Sequence, residues 1–468
     1  MRQKLTSFKT PNTYAILLSI LVLMAVLTWI LPGSQYDRVE INGRLVVDPD
    51  TFTYVEAARQ GIPELLMAPI RGFVNAAEII GFVLLIGGVF GILQRTQAIE
   101  TGVRSLARAH QTSKLVRTIT IPLFMVLFSL GGAIFGMAEE TIPFILIFVP
   151  MAYALGYDTV TGIAIPFIGA GAGFAGAFLN PFTVGVAQGI AQLPLFSGLA
   201  YRVLCWTIVT AIAIIFVMRH AARVKANPQA SPTYEHDEEG RRKLHLREND
   251  GLDSMSKSHK LVLYVFVLGI LALVYGVLKL DWYIEEIMGL FLLIGLLAAI
   301  IGRLSVDSTT EAFLSGAKDL MGTALVIGLA RAILILAENG HIIATILHSL
   351  AGLVGGLHPV VSAQAMFVIQ TFLNFFVPSG SGQAALTMPI MAPLADLIGV
   401  TRQTAVLAFQ FGDGFSNLII PTSGVAMGVL SLAGVPWEKW ARWIIPLELI
   451  FLLIGFLLLI PPVLMGWQ

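Results

Sequence analysis

Four ionisable residues lie within or against apolar runs of the chain: Glu139, Glu140, Arg331 and Asp413. A charge at membrane depth is costly, so each is first of all a candidate for handling a solute or an ion. Adjacent carboxylates cannot share one helix face, which places one of Glu139 and Glu140 on a cavity and the other as a cap on the next helix. Asp413 can act as a cation ligand, a proton carrier or a cap. Arg331 can pair with a carboxylate of the protein or with one of a solute.

The sequence around these charges leaves backbone open. Residues 131–141 (GGAIFGMAEET) and 378–383 (PSGSGQ) are rich in Gly, and residues 178–183 (FLNPFT) and 413–424 (DGFSNLIIPTSG) interrupt long apolar runs with Pro, Asn, Ser and Thr. Irregular backbone at membrane depth is tolerated only where it lines a cavity. In such breaks helix N-termini can meet anions and freed carbonyls can meet cations. Asn180, Thr183, Ser416, Asn417, Thr422 and Ser423 add hard oxygens suited to sodium. Small and polar residues can also simply pack helices together, and Gly169, Gly171, Gly173 and Gly176 are read as such a packing face.

Helices in a membrane must position these groups. The chain has 468 residues, 56% hydrophobic and 12% charged, which excludes water as the solvent for most of it. Apolar runs at about 14–31, 78–94, 160–192, 197–218, 261–280, 284–302, 319–337, 402–434 and 440–466 predict spans. The stretches 116–157 and 358–398 are too long for one crossing and broken midway, so each is read as a re-entrant hairpin. With the hairpins not crossing, a cytoplasmic N-terminus puts most of the 29 Lys and Arg residues on the cytoplasmic side and the C-terminus in the periplasm. The first run lacks a small-x-small cleavage site and is read as a retained span. Zero net charge without a basic, aromatic-interleaved stripe argues against nucleic acid. A lone Cys205 argues against disulfides and cysteine-based metal centres.

The same plan occurs twice, about 240 residues apart. Residues 86–93 match 326–333, 149–161 match 392–404, and 181–189 match 421–428. Residues 1–218 form the first repeat, 219–260 a mobile cytoplasmic linker, and 261–468 the second repeat with one extra span. That extra crossing inverts the second copy, as in many transporters. The predicted fold class is therefore an all-α polytopic membrane protein of inverted repeats, each with a re-entrant helical hairpin and a broken transmembrane helix.

With these motifs in place the chain resembles the YfcC family of the ion transporter superfamily, whose relatives include DcuC-type dicarboxylate carriers, AbgT-type transporters and sodium-coupled divalent-anion symporters. The resemblance covers nearly the whole chain, including both hairpins and the 416–423 break. In the sodium-coupled relatives each hairpin tip and a neighbouring Ser-Asn-Thr stretch form a cation site, with substrate between the two. Carried over, this implies Ser379, Gly380, Ser381, Gly382, Asn417, Thr422 and Ser423. The first half departs from the pattern: 180–183 reads Asn-Pro-Phe-Thr, and Glu139 and Glu140 stand where small polar residues belong. One side is thus expected to bind a proton or a cationic part of the substrate.

Substrate contacts are assigned to Glu139, Glu140, Asn180, Thr183, Gly380, Ser381, Asn417 and Thr422, and ion contacts to Ser379, Gly382, Asp413, Ser416 and Ser423. The resemblance further implies a homodimer with a fixed scaffold and a mobile transport body, and no cofactor beyond Na+ or H+ as coupling ion. The expected function is elevator-type secondary transport, by symport or antiport, of a small charged metabolite across the bacterial inner membrane. An acidic tip favours a basic amino acid such as arginine or ornithine. The alternative is a C4-dicarboxylate or short-chain carboxylate carrier. No repeated pore filter or intramembrane His-x-x-Glu cluster supports a channel, an enzyme or a metal centre.

Overall fold

A computed structural model describes residues 13–41, 44–248, 255–280, 282–352, 354 and 357–467. Helices begin where short polar side chains can accept the otherwise orphaned N–H groups. The oxygens of Ser113, Asp158, Ser305, Ser379, Thr401 and Ser423 do this. The first copy runs through α1 (Thr13–Ile30), α2 (Ile62–Asn75), α3 (Ala77–Arg95), α4 (Ala98–Thr112), α5 (Lys114–Phe135), α6 (Thr141–Ala154), α7 (Thr159–Ala175), a π-helical turn (Pro181–Gly185), α8 (Val186–Ile190) and α9 (Leu199–Ala226). Next come α10 (Tyr234–Glu248) and α11 (Lys257–Lys279). The second copy is α12 (Ile284–Ile301), α13 (Val306–Asp319), α14 (Met321–Asn339), α15 (Ile342–Ala351), α16 (Pro359–Phe376), α17 (Gly380–Leu397), α18 (Arg402–Ser416), α19 (Gly424–Leu432), α20 (Trp437–Leu458) and α21 (Ile460–Met465). After α1, β1 (Gly33–Gln35) pairs antiparallel with β4 (Thr53–Val55), and β2 (Arg38–Ile41) with β3 (Arg44–Val47).

Every expected span has its helix. The hairpins are α5–α6 and α16–α17, and the broken helices are α7–α8 and α18–α19. Hydropathy does not reveal α2, α4, α13 and α15, because each is too short or too interrupted by polar residues to cross.

Reciprocal packing relates the two copies. α1 and α2 lie on α14, while α12 and α13 lie on α3. The returning hairpin arm α6 meets α19, and its counterpart α17 meets α8. The closest crossings repeat the same atoms: a Cβ at Gly72 would strike the Gly328 carbonyl and crowd Ala332, and one at Gly316 would strike the Gly87 carbonyl and crowd Gly91. Mutual contacts of this kind define a two-fold relation. With α11 as the one extra crossing between copies, the two run oppositely through the bilayer. The crossed helices are central, α14 having 61% of its apolar stretch buried and α3 56%, against 28% for α11.

Over its described residues the linker differs from the expectation of a mobile, solvated connector, residues 249–254 lying outside them. α9 continues to Ala226, and Asp237 of α10 is fully buried. Its Oδ1 accepts the Thr159 N–H at 2.9 Å and the Thr159 hydroxyl at 2.5 Å. Ser231 Oγ lies 3.0 Å from Asp158 Oδ2 and 2.6 Å from Asp237 Oδ2, and His220 Nε2 lies 2.8 Å from Asp158 Oδ2. Trp443 of α20 donates to His220 Nδ1 at 2.9 Å, which leaves Nε2 as the nitrogen that donates to Asp158. The linker is therefore latched to the α6–α7 turn because its acidic side chain satisfies helix-start donors that would otherwise be orphaned. Burial pushes the Asp158 carboxyl up, but the hydrogen bonds it accepts from His220 and from the Thr161 hydroxyl and N–H hold it below the ordinary value.

Candidate solute site

Both hairpin tips and both helix breaks converge on one cavity of about 420 Å³, within the range of about 300–1,000 Å³ usual for small-molecule sites. Glu139, Glu140, Thr183, Ser379, Gly380, Ser381, Asn417, Thr422 and Ser423 line it. Asn180, Gly382, Asp413 and Ser416 do not. Asn180 is fully buried, with Oδ1 accepting the N–H groups of Phe182 (2.9 Å) and Thr183 (3.2 Å). Gly382 faces a second cavity. Asp413 and Ser416 sit behind the lining: Asp413 Oδ1 accepts from Asn417 Nδ2 at 3.0 Å, and Ser416 Oγ donates to the Gly412 carbonyl at 2.7 Å. Successive helical side chains diverge by about 100°, so neighbours in sequence cannot all face one space.

The first-half tip takes up the donors at the start of α6. α5 ends at Gly136 with φ 74°, a conformation that favours glycine, and a Cβ there would also crowd the Asn180 amide at 2.8 Å. At the start of α6 the Thr141 N–H donates to the Ala138 carbonyl (3.0 Å) and the Ile142 N–H to the Glu139 carbonyl (3.1 Å); the next residue, Pro143, has no N–H. In the adjoining break the N–H groups of Phe178 and Leu179 both donate to Ala133. With its backbone donors occupied, α6 has no side-chain cap. This corrects the expected division of labour between Glu139 and Glu140. Both line the cavity, and Glu140 accepts the Ala138 N–H at 3.0 Å. Two groups the sequence did not single out join them: Glu78 at the start of α3, and Tyr283, which lies within electrostatic reach of Glu78, Glu139 and Glu140. A position in the first turn of a span looks interfacial in sequence, and only the tip's approach shows its use.

The second half leaves its donors open. At α17, Ser379 accepts the Gly382 N–H on Oγ (3.4 Å) and the Gln383 N–H on its carbonyl (2.7 Å), so the N–H groups of Gly380 and Ser381 have no acceptor among the described residues. At α19, Ser423 takes the N–H groups of Ala426 and Met427, and those of Gly424 and Val425 remain free in the same sense. These four residues line the cavity. Gly380 also joins the halves: a Cβ there would meet Thr183 and lie 3.0 Å from Asp413 Oδ2. Asp413 Oδ2, Thr183 Oγ1 and Thr422 Oγ1 are buried with no hydrogen-bond partner among the described residues.

Arg331 stands midway along α14. Its Nε donates to Asn75 Oδ1 at the end of α2, and the Glu139 carboxylate is within electrostatic reach. Arg331, Leu334 and Ser379 line both this cavity and a second one of about 820 Å³ that reaches Ser34, Tyr36 and Gln60 by the strands.

Comparison with known proteins fits this arrangement. A relative of Escherichia coli (strain K12), named "Putative basic amino acid antiporter YfcC", is 38% identical over 92% of each chain. An uncharacterised protein of Haemophilus influenzae is 28% identical over 98% of each. Among solved structures, the YdaH transporter of Alcanivorax borkumensis overlaps 98% of this chain and 99% of its own with a TM-score of 0.45 at 16% identity, a likeness too distant to carry an argument. The family model described as the C4-dicarboxylate anaerobic carrier DcuC matches residues 10–463. Because that match takes in both hairpins and both broken helices, the chain belongs to the DcuC family and is a multi-pass inner-membrane transporter of small solutes.

Proposed function

We propose that this transporter exchanges basic amino acids, such as arginine and ornithine, by secondary active antiport. One observation carries the reading: three carboxylates, Glu78, Glu139 and Glu140, face a single guanidinium, Arg331, around the cavity. Such a space attracts a cation and opposes a dianion. The name given to the Escherichia coli relative points to the same substrate class.

The bare oxygens of Asp413 and Thr183 next to the second tip are the groups for a coupling Na+ or H+. The hairpins and broken helices would move as one body against α3, α14 and the other rim helices, in a homodimer whose N-terminus and linker face the cytoplasm. Free N–H groups at α17 and α19 give a specific reason to keep a second reading, a C4-dicarboxylate carrier, because helix N-termini favour carboxylates.

Counterflow in proteoliposomes distinguishes the two. Vesicles preloaded with ornithine are expected to accumulate labelled arginine saturably, and an imposed Na+ or pH gradient to alter the rate. Accumulation of labelled succinate but not arginine would replace the first reading with the second.

A further inference from the structure

Recognition of the solute's carboxylate is a separate question from recognition of its positive charge. The Arg331 guanidinium is held by Asn75 through Nε, and Nη1 and Nη2 have no hydrogen bond or ion pair among the described residues. It lines both cavities, as does Ser379, whose helix α17 leaves the N–H groups of Gly380 and Ser381 open on the first of them. Thr422 lines that space too, 1% exposed, and its buried hydroxyl has no partner among the described residues. A guanidinium fork, a helix N-terminus and a hydroxyl make a donor set complementary to one carboxylate.

Resting on the basic amino acid reading above, we propose that Arg331, with the start of α17 and Thr422, is a carboxylate subsite at the neck between the cavities. It makes the chain selective for α-amino acids over the amines that lack the carboxylate. Arg331 fixes the orientation of the solute: the carboxylate goes to the second half and the cationic end to Glu139 and Glu140. A solute coming from the larger cavity meets Arg331 on its way to the acidic tip.

The test is calorimetric binding of L-arginine and of agmatine, its decarboxylated form, to the purified full chain. Charge-assisted hydrogen bonds to the carboxylate make wild type favour L-arginine by on the order of 30-fold. Arg331→Gln is expected to bring L-arginine close to agmatine and leave agmatine within about twofold of its wild-type affinity, and Arg331→Lys to restore part of the preference. Size-exclusion profile and thermal midpoint establish that the variants are folded.

Equal wild-type affinity for the two ligands, or an equal loss of both in folded Arg331→Gln, would overturn the carboxylate subsite while leaving basic amino acid transport standing. If wild type binds neither but binds succinate, the basic amino acid reading falls and takes the subsite with it.

Discussion

The two halves share a backbone plan and differ in what they leave unsatisfied. In the first, Ala138 and Glu139 carbonyls take the N–H groups of Thr141 and Ile142, Asn180 Oδ1 takes those of Phe182 and Thr183, and carboxylates are the side chains offered to the cavity. In the second, the starts of α17 and α19 keep N–H groups without an acceptor among the described residues, Arg331 lines the same cavity, and no described carboxylate of this half joins the lining. A duplicated scaffold thereby becomes a site with an acidic pole and a donor-rich pole. That polarity suits a molecule carrying both signs of charge better than it suits a dianion or a simple cation.

The sharpest way to break the comparison is to neutralise the acidic pole. The double change Glu139→Gln and Glu140→Gln is expected to reduce arginine uptake by about 1,000-fold, two charge-assisted contacts being lost, with the protein still folded. Near-normal uptake would remove the first half from the site.

At the far ends of the hairpins the halves differ again. The α6–α7 turn is held by the buried Asp158–His220 latch, whereas the α17–α18 turn has a partly exposed Arg402–Asp396 pair at 2.7 Å. Asp158→Asn should cost about 3 kcal/mol of stability, and Arg402→Ala less than about 1 kcal/mol. Thermal unfolding of both variants checks this. Because the Asp158 carboxyl is held low, its contribution is present above the ordinary carboxylate value and is lost as pH falls through its own lower value, so the deficit of Asp158→Asn should shrink in acid.

Smaller effects probe the second half. Asn417 is the partner of Asp413 Oδ1, so Asn417→Ala should weaken ion-coupled uptake by about 30-fold, the scale of a hydrogen bond to a charged group. Thr422→Val removes one neutral hydroxyl from the cavity and should weaken arginine binding by about fivefold. An effect of Thr422→Val larger than that of the Glu139 and Glu140 pair would reverse the assignment of poles.

Much of this was legible in the sequence because hydrophobic length and paired interruptions are one-dimensional signals. The spans, both hairpins and both breaks follow from them, as does the choice of Glu139 and Glu140. Direction is not one-dimensional. Asn180, Asp413 and Ser416 carry the right chemistry but face backbone or neighbouring helices, while Glu78, Tyr283 and Asn75 reach the cavity from positions that read as span ends. Asp237 looked solvated because its run is acidic, and nothing local shows that it meets the N–H of Thr159, 78 residues away. The crossings of α2 on α14 and of α13 on α3 had one readable trace: Gly72 and Gly316 stand in corresponding positions before α3 and α14.

The most direct test of the division into poles is a structure of the chain with L-arginine bound. The account predicts the guanidinium against Glu139 and Glu140 and the carboxylate at Arg331 and the start of α17. A bound arginine lying the other way round, or a solute touching only the second half, would contradict it.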